Sequence, residues 1–190
     1  NHQCVGYVDD AFRKFFAKHE NDEWFRNTIF VFVADHVSSE KMTETFRRSP
    51  GDYHILGFMY APDSALFGEH RQVVSQIDIM PTLLGLMGHS EPYFAFGRDI
   101  FNEHVDEPFA INYDNNAFQA ITSSHLIRFD EKSITGVYAI DDVMHEKNLQ
   151  TEVSTSDVEQ RMKAMIQSYY SRVENKDYIV NDSISGDTTF

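Results

Sequence analysis

The chain has 190 residues, of which 42% are hydrophobic and 14% aromatic, enough to bury a sizeable core and to exclude a disordered polypeptide. Sixteen basic residues against thirty acidic ones leave a formal charge of −14, which argues against nucleic acid or an anionic membrane surface as partner. An anionic ester is not excluded, because a bound cation can dominate the local field.

This length suits one ordinary domain, or a core with a small appendage. The single cysteine, Cys4, rules out an internal disulfide and a thiolate zinc cluster. Its place among apolar helix positions predicts a small buried side chain. No apolar run reaches the ~20 residues needed to cross a bilayer. No signal peptide precedes the first helix, so the chain reads as the trailing part of a longer protein.

Val5, Val8, Phe12, Phe15 and Phe16 recur at helical spacing. They predict an amphipathic helix over residues 3–19 whose aromatic stripe packs into the core. A polar connection from His19 to Asn27 follows, with Trp24 and Phe25 pinned against a sheet. Thr28 to Ala34 is a short apolar run that predicts a buried strand, and helix-then-strand order predicts a parallel α/β arrangement. Residues 37–53 are polar and predict a loop with one short helix. His54 to Tyr60 is a second strand-length run, closed by Ala61-Pro62. A loop carrying Gly68, His70 and Arg71 leads to a helix near Asp78 to Met87. Asp78 is placed to cap that helix, Gly88 suits its far end, and Ile79, Leu83, Leu86 and Met87 form its buried face.

From Pro108 the pattern changes. Phe109 to Tyr113, Ala117 to Thr122, Leu126 to Asp130 and Ile134 to Ile140 alternate with turn residues, which predicts an antiparallel meander of about four strands. Ser156-Asp-Val-Glu159 matches a capping box. It opens a helix with Val158, Met162, Met165, Ile166, Tyr169 and Val173 on one face. The tail after Asn175 is polar and expected to fray. Two domains are therefore expected, 1–104 and 105–190: part of an α/β core, then a small antiparallel sheet with a terminal helix.

The strand from Thr28 ends on Asp35-His36. In open α/β sheets the ligand crevice lies outside the carboxyl ends of the strands. A carboxylate oxygen beside an imidazole nitrogen is a credible ligand pair for one divalent metal. His54, before the second apolar run, is a candidate hydrogen-bond donor to an anionic substrate group, or equally a strand-edge histidine satisfied by a loop carbonyl. His70 and Arg71 could offer positive charge to a phosphate or sulfate, although such pairs are most often solvated loop residues. Asp78 reads as structural, and Arg98-Asp99 as a surface turn with local pairing. The remaining histidines have no partner at ligand spacing.

The ordered set Asn27-Thr-Ile-Phe-Val-Phe-Val-Ala-Asp35-His36, Tyr53 to Pro62, Val74-Ser-Gln-Ile-Asp-Ile-Met-Pro-Thr-Leu-Leu to Gly88, and Phe96-Gly-Arg-Asp-Ile-Phe101 resembles the C-terminal half of the sulfatase domain. That domain belongs to the alkaline phosphatase superfamily, and the likeness is greatest to its lipoteichoic acid synthase and phosphoglycerol transferase group. It covers roughly residues 5–101. The chain departs from the pattern at Ala34 and Val37, where the family usually has Gly or Ser and then Gly or Tyr.

The resemblance implies a partial alkaline-phosphatase-like core followed by a minor sheet and a packing helix. It implies one divalent metal ion (Mn, Mg, Ca or Zn), with Asp35 and His36 as ligands, and a sulfate or phosphate ester as substrate. It also implies action on the extracytoplasmic side of a bacterial membrane. In that family the nucleophile and an acidic ligand lie N-terminal to the helix that opens this chain, so only half an active site is expected here. The N-terminal half of the same protein is then an expected partner, and the cut face predicts self-association. The rival expectation is a truncated or degenerate domain serving as a structural or partner-binding module.

Overall fold

The computed structural model describes residues 2–40, 43–63, 66–102 and 108–177. These residues fall into two compact units. One lies within Asn1–Ser38 and His54–His70, the other within Ser39–Tyr53 and Arg71–Phe190. The expected boundary between residues 104 and 105, and the tail from residue 178, lie outside the described residues.

The first unit is helix α1 (His2–His19), a short helix α2 (Glu23–Arg26) and strands β1 (Phe30–Val33) and β2 (Gly57–Tyr60). Alternation along the strands puts Phe30 and Phe32 on one face, opposite Tyr60 and Phe58. Phe32 stacks on Phe58 with centroids 4.7 Å apart, and Phe12 of α1 meets Phe32 edge-on at 5.3 Å. Phe16 approaches Phe30 at 5.2 Å, and Phe25 of α2 is buried against the same ring at 5.0 Å. Such aromatic pairs add about 0.5–1.5 kcal/mol each beyond their area.

Two expectations fail in this unit. β1 and β2 run antiparallel, with Phe30 opposite Tyr60 and Val33 opposite Gly57. A parallel pair needs a crossover, usually a helix, whereas among the described residues the connection between these strands holds 3₁₀ turns at Glu44–Arg47 and Gly51–Tyr53. Cys4 is exposed rather than buried. The cause is length: an 18-residue helix runs about 27 Å, while strands of four residues run about 13 Å. The first turns of α1 lack a sheet to lie on, and Val5 and Tyr7 stay 67% and 78% exposed.

The second unit centres on a meander of β3 (Ala110–Asp114), β4 (Ala117–Ile121), β5 (His125–Phe129) and β6 (Ile134–Ala139), antiparallel throughout in the order β3-β4-β5-β6. The expected meander is present. Asn115 and Asn116 both take positive φ, 48° and 58°, as a tight two-residue hairpin requires. The β5–β6 turn is held by Asp130, whose Oδ1 accepts the N–H groups of Lys132 and Ser133 at 3.0 and 2.8 Å. Helix α4 (Ser156–Asn175) lays Met162 into the core of Ala120, Ile127, Phe129, Ile134 and Val137.

The cap of α4 differs from expectation. Thr155 is the N-cap, and Ser156 already lies inside the helix. Its apolar face is buried only in the first half, since Tyr169 and Val173 remain exposed. Ahead of the meander, a 3₁₀ turn (Gln76–Asp78) runs into helix α3 (Ile79–Leu86). Asp78 is the N-cap residue of α3, as expected, but its side chain makes no cap bond to that helix; it closes the capping box of the 3₁₀ turn, whose N-cap is Ser75. Pro81 and Thr82 are the buried residues of α3, whereas Met87 is exposed.

Candidate functional site

β1 delivers the Asp-His pair. Its ladder closes with the Ala34 N–H donating to Leu56 O at 3.0 Å, after which the chain bends at Asp35 and His36. The Asp35 carboxylate accepts the backbone N–H of His36 at 2.9 Å through Oδ1. His36 Nδ1 lies 2.8 Å from Val37 O. A carbonyl only accepts, so Nδ1 is the donor, and in a neutral ring the lone pair then lies on Nε2. That nitrogen stands 3.6 Å from Asp35 Oδ1, and the two side chains are 77% and 89% exposed.

An oxygen and a nitrogen, both electron-pair donors, thus face each other beyond hydrogen-bond length. The pair can share a cation. This donor set fits a divalent metal, and the carbonyl behind Nδ1 is the kind of partner that fixes a metal-binding histidine's tautomer. Sequence reasoning missed Val37 in this role because the contact uses its backbone, which any residue possesses. Among the described residues no group of three or more His, Cys, Asp or Glu could hold a metal ion. The pair alone is less than the roughly six ligands that hard cations take.

His54 is exposed and lies three residues before β2. It therefore precedes the strand that it was expected to open. The antiparallel register, extended by the Ala34–Leu56 bond, brings segment 54–56 to the same end of the sheet as Asp35 and His36. His70 and Arg71 are exposed loop residues.

Asp78 is buried and structural. Its Oδ2 accepts the Ser75 N–H at 2.8 Å, and its Oδ1 accepts the Arg98 N–H at 2.9 Å. The Phe-Gly-Arg-Asp turn is consequently no surface turn. Arg98 Nη2 donates to Gln72 Oε1 and Val73 O at 3.1 and 3.0 Å. Thr82 Oγ1, buried in α3, donates to Asp78 O at 2.6 Å and accepts the Ile100 N–H at 3.2 Å. Of the histidines without an assigned role, His19 pairs with Asp22 at 2.7 Å and His145 bonds Ser49 O at 2.8 Å. His104 lies outside the described residues.

Residues 2–89 match the family model described as Sulfatase. The lipoteichoic acid synthases of Staphylococcus aureus strains USA300 and NCTC 8325 / PS 47 are each 24% identical to the chain over 112 residues, which is 53% of this chain and 17% of theirs. The chain therefore spans less than a fifth of the length of these curated relatives. The crystal structure of a protein in the alkaline phosphatase superfamily from Vibrio parahaemolyticus superposes with a TM-score of 0.71 at 24% identity. That match covers 93% of this chain and 42% of the other, and it shows a shared fold. The matched residues 2–89 include α1, β1, β2 and α3, and with them Asp35, His36 and His54.

Proposed function

We propose that this chain supplies two metal ligands, Asp35 and His36, to a metal-dependent sulfatase-like hydrolase or phosphoglycerol-type transferase acting on sulfate or phosphate esters. The observation carrying this reading is the facing of His36 Nε2 and Asp35 Oδ1 at 3.6 Å, at the carboxyl end of β1 within the matched residues 2–89. A divalent cation bound there would polarise an ester oxygen and lower the pKa of a nucleophile's hydroxyl. Asp35 contributes negative charge and an oxygen donor. His36 contributes Nε2, held outward by the Nδ1–H bond to Val37 O. His54, on the same end of the sheet, donates a hydrogen bond to the anionic group of the substrate.

The nucleophile is contributed by the other half of the sulfatase-like domain, a covalent ester forms on it, and water or an acceptor alcohol releases that ester. Action outside the cytoplasm follows from the likeness to lipoteichoic acid synthases; no helix among the described residues is long and apolar enough to cross a membrane.

Calorimetric titration of the chain with Mn²⁺ tests this reading. Weak, saturable binding is expected, lost in both Asp35→Asn and His36→Ala, with no turnover of an aryl sulfate or phosphate. Binding that survives both substitutions would refute the ligand assignment. Metal-dependent turnover abolished by Asp35→Asn would refute the half-site reading.

A further inference from the structure

Between the metal pair and His54 the chain changes unit. It leaves the first unit after Ser38, runs through the second as Ser39–Tyr53, and re-enters the first at His54. His54 therefore follows directly on the last residue of that segment. Leu56, two residues later, already accepts the Ala34 N–H. The β1–β2 ladder thus fixes the chain on one side of His54, and whatever holds Tyr53 fixes it on the other.

The end of the segment is clamped onto the meander. Ser49 and Gln119 are 6% and 1% exposed, and the Ser49 hydroxyl donates to Gln119 Oε1. Gln119 is itself held, its Nε2 donating to Asp114 Oδ2 at 3.2 Å. The Ser49 carbonyl accepts from His145 Nε2 at 2.8 Å, and the His145 ring stacks on Tyr138 of β6 with centroids 4.7 Å apart. From Ser49 to Tyr53 there is no slack. The N–H groups of Asp52 and Tyr53 donate to Arg48 O and Pro50 O, each at 3.0 Å. Gly51 lies so near Thr45 that a Cβ on it would collide with the Thr45 carbonyl oxygen. The Tyr53 hydroxyl adds a bond to Tyr113 O at 3.3 Å. Burying polar groups costs free energy unless both partners are satisfied, and here a satisfied buried pair makes a fixed point a few residues before His54.

We infer that Ser49 and Gln119 are positioning residues for His54: they lock the turn that ends at Tyr53, and that turn sets where the next imidazole reaches. The inference rests on the reading of His54 as a donor to the substrate's anionic group. An anchor directly before His54 removes backbone freedom that would otherwise be lost on binding. His36 precedes Ser49 by thirteen residues, so the clamp acts on His54 and not on the metal pair.

Sulfate binding by the Mn²⁺-loaded chain reads the effect. Ser49→Ala and Gln119→Leu should each weaken sulfate severalfold and leave Mn²⁺ affinity unchanged. Both should also remove hydrogen-exchange protection from the Tyr53 amide while that of Ala34 survives. His54→Ala should weaken sulfate at least as much, and in its background Ser49→Ala should cost nothing further, because residues that act as one unit do not add. Tyr53→Phe deletes only the exposed bond to Tyr113 O and serves where the buried variants unfold. It should weaken sulfate in the otherwise unaltered chain and have no effect beside His54→Ala. A merely structural clamp would lower the urea midpoint and spare sulfate. That result in folded variants, with His54→Ala still weakening sulfate, would overturn the inference alone, as would additive effects of Ser49→Ala and His54→Ala. Sulfate affinity indifferent to His54→Ala, or no sulfate binding by the loaded chain, would refute the role of His54 and the inference with it.

Discussion

Gly97 lies so close to Ile77 that a Cβ built on it would stand 2.1 Å from the Ile77 carbonyl oxygen and 2.7 Å from the Asp78 nitrogen. This approach is what lets the Asp78 carboxylate reach the Arg98 N–H. Gly97→Ala must therefore push two backbones apart. Overpacking of this kind costs about 1–3 kcal/mol. A urea denaturation curve should show the loss as a lower midpoint with an unchanged slope.

Asp78→Ala removes the acceptor of two N–H groups, those of Ser75 and Arg98. Leaving buried donors unsatisfied costs about 1–3 kcal/mol. The expected phenotype is lost stability with Mn²⁺ affinity unchanged, because Asp78 is structural. Weaker Mn²⁺ binding by a folded Asp78→Ala variant would contradict that assignment.

Met162 is fully buried, whereas Val173, eleven residues along the same helix, is 42% exposed. Met162→Ala should destabilise the chain by about 2–5 kcal/mol, and Val173→Ala by no more than about 0.5 kcal/mol. Equal effects in thermal denaturation would mean that α4 packs along its whole length.

Two turn carboxylates give an acid limb to stability. Backbone N–H groups of Ser133 and Lys132 hold Asp130 below 3.8, and those of Lys147 and Glu146 do the same for Asp142. A group whose folded pKa is depressed stabilises the fold above its unfolded pKa and ceases to do so as pH falls through the folded value. Asp130→Asn and Asp142→Asn should thus lower the urea midpoint at neutral pH and leave it nearly unchanged at a pH well below 3.8.

The meander and α4 were legible in the sequence because each strand carries its own turn residues, such as Asn115 and Asn116, and because Met162 falls on a regular helical face. Asp35 and His36 stood out because a polar pair ends an apolar run. What stayed hidden depends on contacts between distant residues. The antiparallel sense of β1 and β2 is set by a connection whose path no local pattern encodes. The exposure of Cys4 follows from a helix longer than the strands beneath it. Arg98 reads as a surface residue until Gly97 is seen to bring its backbone onto Asp78. Ser49 and Gln119, 70 residues apart, are joined by a buried hydrogen bond that neither segment announces.

The central claim, that Asp35 and His36 together hold a divalent cation, is tested most directly by imidazole nitrogen NMR of the chain during Mn²⁺ titration. The account predicts that apo His36 is the Nδ1–H tautomer. It also predicts that sub-stoichiometric Mn²⁺ broadens the His36 ring signals first, with Nε2 affected more than Nδ1, and that Asp35→Asn suppresses this effect. An Nε2–H tautomer for His36, or broadening that spares His36 while other histidines disappear, would contradict it.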